Sequence, residues 1–269
     1  MQGSSGGSLA RLTDEVVSAV EGGADGAELG TGLFGVAAVL ADQPSLRRAL
    51  TDPSSEAPAR SGLAESVFAK HLSAPAAAVV ASAAAQRWAS SGDLGRSIEQ
   101  LGVVAVVKGA DRDGAGDRVE EELFAFGRTV IEHHDLRSAL SDPSRSVEDK
   151  QALVRSLLEG KAHESTVLLV AQAVGGAHLT ITSAIDTFVG LAALTRNRLV
   201  ALVRVAHPLG ADEEKRLAAA LSAQYDRTVH LNTVVDPSLL GGIHVAIGDE
   251  VVDGTVASRL EDASRRLAG

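Results

Sequence analysis

The residues whose types and spacing come nearest to a chemical site are Asp111, Asp113, Gly116 and Glu122. They fit positions 1, 3, 6 and 12 of an EF-hand calcium loop, in which carboxylates supply hard oxygen ligands and glycine the sharp turn. Position 5 is Ala115, which has no side-chain oxygen, and position 8, normally apolar, is Arg118. The stretch Gly109–Arg118 therefore reads as a solvated Gly/Asp hinge whose acids favour the N-terminus of the next helix. The histidines His71, His133, His134, His163, His178, His207, His230 and His244 show no His-x3-His or His-Glu-x-x-His spacing. The adjacent His133-His134 pair cannot present both rings to one metal from a helix and reads as a solvated helix end. Gly160-Lys161 lacks the spacing and the following Ser/Thr of a phosphate-binding loop, and no Gly-x-Ser-x-Gly elbow follows a strand. With no cysteine, thiolate nucleophiles, disulfides and iron–sulfur clusters are excluded. The sequence nominates no catalytic residue, no cofactor site and no metal site.

The elements that carry these residues are organised by a duplication. Ser45-Leu-Arg-Arg-Ala-Leu-Thr-Asp-Pro-Ser54 is nearly repeated as Asp135-Leu-Arg-Ser-Ala-Leu-Ser-Asp-Pro-Ser144, at an offset of 90 residues. The offset holds without a gap: Leu33 falls on Leu123, Phe34 on Phe124, Leu63 on Leu153, Val79 on Leu169, Ile98 on Phe188 and Leu101 on Leu191.

Each copy reads as helices joined by tight turns. Val119, Leu123, Phe126 and Val130 step at three and four, one face of an amphipathic helix. Asp142-Pro143 breaks the chain, because a residue before proline avoids the helical region. Ser146 is placed to cap a helix over Val147–Glu159. A nearly uncharged helix follows at Ser165–Val174, and a last one over about Leu179–Arg196. Copy one repeats the plan, its last helix carrying Leu94, Ile98, Leu101 and Ala105. An extra helix at about Leu9–Glu21 has no evident counterpart before copy two, and the sequence assigns it to neither bundle.

After about Arg198 the pattern changes. Leu199–Ala206, Thr228–Val234, Ile243–Ile247 and Glu250–Asp253 read as strands, and Asp212–Gln224 and Thr255–Leu267 as helices, with Gly248-Asp249 as a hairpin turn. Gly241-Gly242 could cradle a phosphate, but paired glycines before a strand more simply permit a tight turn. Asp253-Gly254 reads as a turn with Thr255 as the helix cap. The expected fold is mainly α: a disordered stretch 1–8, helical bundles over 9–113 and 114–198, and a small α+β module over 199–269.

The run Val234–Glu261 resembles the C-terminal signature of the F-type ATP synthase δ subunit family, whose mitochondrial counterpart is the oligomycin-sensitivity-conferring protein. The resemblance is carried by Asp236, Leu239, Gly241, Gly242 and Ile243, by Asp253-Gly254-Thr255, and by Arg259-Leu260. Ala246 departs from it, since the family usually has a basic or polar residue there. Copy two plus the module is similar to an ordinary δ subunit, and copy one looks like an added bundle, as in the long δ subunits of actinobacteria. The resemblance implies a non-catalytic stator subunit, with the N-terminal helices of α subunits and the b-type peripheral-stalk subunits as partners. It also implies peripheral attachment at the cytoplasmic face of the plasma membrane. Its rival is a helical interaction adaptor unrelated to the synthase.

Composition agrees with a scaffold of that kind. Among 269 residues, 25 Lys and Arg face 35 Asp and Glu, a net charge of −10 that argues against nucleic acid and anionic lipid. Aromatics are only 3%, too few for base- or sugar-stacking platforms. No uninterrupted apolar run is long enough to span a bilayer, despite a mean hydropathy of +0.11, so direct membrane insertion is not expected.

Overall fold

The computed structural model describes residues 4–176, 178, 180–196, 198–225, 228–236, 239, 241–247 and 250–255, the last six by backbone. The chain divides into two compact units, 1–192 and 193–269.

The first unit is all helical. It runs α1 (Ser4–Glu21), α2 (Gly26–Asp42), α3 (Pro44–Leu50), α4 (Ala57–Phe68), a short 3-10 turn (Ala69–His71), α5 (Ala74–Ala85) and α6 (Ser91–Arg112). It continues with α7 (Gly116–Glu132), α8 (His134–Ser141), α9 (Val147–Leu158), α10 (Glu164–Gly175) and α11 (Ile181–Thr195). The starts of α2 to α6 recur, each 90 residues on, as the starts of α7 to α11. The repeated Asp-Pro-Ser phrase makes the same turn twice. Asp52 Oδ1 accepts from the Ser54 amide at 2.9 Å, and Asp142 Oδ1 from the Ser144 amide at 2.9 Å. Ser146 caps α9 by accepting from the Asp149 amide, as its position before the apolar run suggests.

Two hydrophobic cores fill this unit; α6 feeds both along its length, and Phe34 of α2 also reaches into the second. Core one gathers Leu12, Val16 and Val20 of α1 with residues of α2, α4 and α5 and with Leu94, Ile98 and Leu101 of α6. Core two gathers residues of α7 to α11 and takes Val103, Val106, Val107 and Ala110 from the same α6. Fourteen of the 22 residues of α6 are buried, against five of 18 in α1. The helix therefore closes the first repeat and opens the second, and no unit boundary separates the two bundles.

The open assignment of the extra helix is thereby closed, and two expectations are corrected. The extra helix α1 completes bundle one, and its counterpart in the second repeat is α6: Val106 and Ala110 fall 90 residues after Val16 and Val20. The hinge expected over 109–118 shrinks to the three residues between α6 and α7, because Gly109 packs inside α6 against Gly26. The stretch expected to be disordered up to Ser8 is helical from Ser4. Ser5 Oγ donates to Asp93 Oδ2 at 2.7 Å and accepts from the Ala89 amide at 2.9 Å, and Ser8 Oγ donates to the Arg87 carbonyl at 2.8 Å. Both hydroxyls are buried and satisfied, so polarity at these positions marks a contact and not a tail.

The second unit is a sheet with a helix on one face. β1 (Arg198–Val205), α12 (Ala211–Tyr225), β2 (Thr228–Val235), β3 (Gly242–Ile247) and β4 (Glu250–Thr255) follow in chain order, with strand order β2-β1-β3-β4. β1 and β2 are parallel and joined through α12, while β3 is antiparallel to both β1 and β4. Ala201, Val203 and Val205 alternate inward with Val229, Val245 and Ile247, and meet Leu221 of α12.

Candidate functional site

Three polar clusters hold the helices of the first unit. Arg60, 6% exposed, lies under the C-terminus of α5 and donates to the carbonyls of Ala84 (2.9 Å), Ala85 (2.9 Å), Gln86 (3.1 Å) and Asp52 (3.3 Å), and also of Ser55. It satisfies carbonyls that every helix end leaves without an intrahelical partner. At the start of α6, Ser90 and Asp93 form a capping box, and Asp93 also accepts from Ser5 and Arg96. Burial pushes the Asp93 carboxyl up, but those donors outweigh it and hold the group below its ordinary value. In the second repeat, Glu122 of α7 accepts from the His163 amide at 2.8 Å and from Thr166 Oγ1 at 2.6 Å, and pairs with Arg118. Burial again raises this carboxyl, and the Thr166, His163 and Arg118 donors bring it below its ordinary value.

Glu122 thus serves the N-terminus of α10. Asp111 lies within α6, Asp113 accepts from Arg112 Nε, and Gly116 begins α7. The calcium-loop spacing is therefore spread over two helices and a short turn. His133 and His134 stand exposed at the α7–α8 junction, as a solvated helix end should. Among the described residues no group of acids and histidines converges in the manner of a metal site.

What the first unit offers a partner is shape. α2 and α6 approach so closely that a Cβ on Gly26 would lie 2.4 Å from the Ala105 carbonyl oxygen, and one on Gly30 would lie 2.8 Å from that of Gly102. Beside this seam lies an open cleft of about 650 Å³, walled by α2 and α3 of the first repeat and by α9 and α10 of the second, with the N-terminal half of α6 as its floor. Glu99 at its inner end is 3% exposed, accepts from Gln172 Nε2 at 2.7 Å and has His178 Nε2 3.7 Å away, tying α6 to α10.

In the second unit, Asp236, Leu239, Gly241 and Gly242 make the connection from β2 to β3. The Asp236 amide donates to the Val205 carbonyl at 2.8 Å and the Leu239 amide to the Asp236 carbonyl at 3.1 Å. Gly241 and Gly242 have φ of 146° and 85°, a backbone that L side chains rarely adopt, so the pair is a turn device. Ile243 packs beside the core under α12. Asp253, Gly254 and Thr255 do not turn; they continue β4, opposite His244, Ile243 and Gly242, because the ladder to β3 runs on through them. Arg259, Leu260 and the helix expected after Thr255 lie outside the described residues, as does the Gly248-Asp249 turn, across which Ile247 faces Glu250.

A mainly helical chain that ends in a small α+β module is what the sequence resemblance implied. The family model for the ATP synthase delta (OSCP) subunit matches residues 103–267. The chain belongs to that family. An ATP synthase subunit delta of a Nocardioides species is 49% identical over 90% of this chain and 88% of its own length. That of Acidothermus cellulolyticus is 43% identical over 100% of both. A solved chain of the Toxoplasma gondii mitochondrial ATP synthase hexamer aligns with 62% of this chain and 95% of its own, at 20% identity and a TM-score of 0.39. The match to the family model begins inside α6, at the first residue that α6 gives to core two. An ordinary delta subunit thus matches the second repeat, opened by α6, plus the module.

As a member of the delta family the chain is a non-catalytic stator subunit of the F-type ATP synthase, with the α subunit and the peripheral stalk as partners. The unrelated-adaptor reading is not favoured. The chain is a peripheral part of a membrane-bound complex, and no described helix is long and apolar enough to cross a membrane.

Proposed function

We propose that the two units divide the stator's work. The helical unit receives amphipathic N-terminal helices of α subunits, one per repeat, by a helix-in-groove mode. The sheet module meets the ends of the b-type stalk helices, and the whole acts at the cytoplasmic face of the plasma membrane. The observation that carries this reading is the 90-residue repeat of helix starts, which gives one chain two related sets of helical faces. A stator must transmit torque without yielding, and a helix shared by two cores supplies stiffness between those faces. The net charge of −10 supports attachment through protein partners and not through anionic lipid.

The turn residues Asp236, Leu239, Gly241, Gly242 and Ile243, with Asp253, Gly254 and Thr255 on the neighbouring strand, set the shape of the end of the module that the stalk meets. Arg259 and Leu260 belong to the same signature and are assigned to stalk contact. Titrating the full chain with a peptide spanning the N-terminal segment of an α subunit tests the division. Two peptides per chain are expected, and a peptide from the C-terminal end of a b-type stalk helix should bind without displacing them. Binding of no α peptide overturns the reading.

A further inference from the structure

The two repeats do not present equivalent faces. The cleft beside the second repeat exists because the first repeat walls it: α2 contributes Gly35 and Ala38 and α3 contributes Arg47, opposite Gln151 and Arg155 of α9. Its floor, at Gly92 and Gly95 of α6, has no bulk, so a partner backbone can come close, as α2 itself does from Gly102 onward along α6.

Its charge runs against that of the chain. Arg47, Arg96 and Arg155 line it, Arg96 paired with Asp93 at the start of α6, and Glu99 and Glu148 are its acids. Glu99 is sealed at the inner end by Gln172 and His178, leaving Glu148 as the exposed carboxylate of the lining. In a protein of net charge −10, that is a local cationic rim, and such reversals focus an anionic segment on one place.

The offset of 90 residues locates the corresponding face of the first repeat. There Glu65 stands for Arg155, Ser61 for Gln151, Gly6 for Arg96 and Leu9 for Glu99. The matching rim has lost both of these cations; Pro58 stands for Glu148, so Glu65 replaces one acid rather than adding one, and Glu15 of α1 supplies a further carboxylate that accepts from Ser82.

We propose that the cleft between the repeats is a selective docking site for an N-terminal helix of an α subunit whose flanks are acidic and whose buried stripe is small and apolar. The first repeat's matching face is a weaker site for such a helix. The assignment rests on the reading that helices of α subunits dock on this unit, and it says which of two sites an acidic helix fills first. Ionic strength weakens occupancy of the cleft more than occupancy of the other face, because its rim is charged.

The test uses the full chain and an acidic-flanked N-terminal peptide of an α subunit in isothermal titration. A Cβ at Gly35 would meet nothing within 4 Å, so Gly35→Leu fills the cleft without disturbing the fold. The wild type is expected to show one tight, salt-sensitive site and one weak site. Gly35→Leu should abolish the tight site and leave the weak one. Arg155→Glu should weaken the tight site at least tenfold, while Glu65→Arg tightens the weak one. If Gly35→Leu and Arg155→Glu both leave the tight site intact, the cleft assignment is wrong while docking on the unit stands. If the wild type binds no peptide, docking on the unit fails and the cleft with it.

Discussion

The first repeat opens with α1 and the second with α6, and most differences between the repeats follow from that. α1 is buried along one stripe, Leu12, Val16 and Val20, and its other side faces solvent. α6 is buried on two sides and gives each core its own set of residues. The first repeat can therefore be tuned at its outer end, whereas any change to α6 is felt in both cores. The α2–α6 seam shows the same inequality. Gly30 and Gly102 make its close approach, and 90 residues on stand Glu120 and Ala192, so the second repeat does not reproduce it. Duplication kept the turns and the helix starts, and the repeats diverge at the join.

The comparison breaks most visibly at the seam. Gly26→Leu places a side chain where Cβ alone would sit 2.4 Å from one backbone atom and 2.8 Å from another. A cost of about 3 kcal/mol or more is expected, since backbone on both sides cannot yield. Although Gly26 belongs to the first repeat, hydrogen exchange in α9 and α10 should quicken as well, because α6 must shift. Gly35→Leu on the same helix, facing open space, is the control and should leave both cores protected.

A smaller effect is expected at Arg60. Arg60→Ala leaves buried carbonyls at the end of α5 without donors, a loss of about 2–4 kcal/mol in urea unfolding. Lys150 occupies the matching position of the second repeat, where Gln151 Nε2 reaches the Ala171 carbonyl instead, at 3.1 Å. Lys150→Ala should cost no more than about 0.5 kcal/mol. Equal losses at the two positions would contradict the asymmetry.

The acid response separates the repeats more finely. Asp93 secures the first and Glu122 the second, and both have folded-state pKa values below their ordinary values of 3.8 and 4.5. A depressed carboxyl stabilises fully above its unfolded pKa, and that stabilisation is lost as pH falls through the folded value. Stability should therefore be flat in this respect above about pH 5 and decline below it. Glu122→Asn loses the contacts outright, whereas Glu122→Gln, which keeps the shape and about half of the hydrogen bonding, should cost about 1–2 kcal/mol at pH 7. Below pH 4 the gap between Glu122→Gln and wild type should narrow. A gap unchanged between pH 7 and pH 3 would show that the charge at Glu122 is not what ties α7 to α10.

Much of this was legible in the sequence. The Asp-Pro-Ser phrases gave the offset, and the offset fixed helix after helix, because apolar stripes and turn residues are local signals. The strands of the module were also readable from alternation, and β4 overran its expected end because Asp253 and Gly254, turn formers by type, are held by pairing to β3. What stayed hidden was the double role of α6. Leu94, Ile98, Leu101 and Ala105 mark one face, and Val103, Val106 and Val107 are buried on another, because a helix buried on two sides has no single stripe. Applying the 90-residue offset to α1 would have revealed it, for α1 falls on residues 94–111, almost the span of α6. Ser5 and Ser8 hid the start of α1 for the opposite reason: their hydroxyls are polar by type but engaged by Asp93, Ala89 and Arg87. The cleft was invisible because its lining comes from five helices of both repeats and only the fold brings these together.

Through its place in both cores, α6 makes the two repeats one mechanical block. Hydrogen exchange of the full chain, followed by mass spectrometry across a urea series, measures this directly. If α6 is shared as described, the slowest amides of α2 and α5 in the first repeat and of α9 and α10 in the second lose protection together, at one urea concentration and with one opening free energy. If the second repeat opens at clearly lower urea while the first stays protected, the repeats are separate bundles and the shared-helix account is wrong.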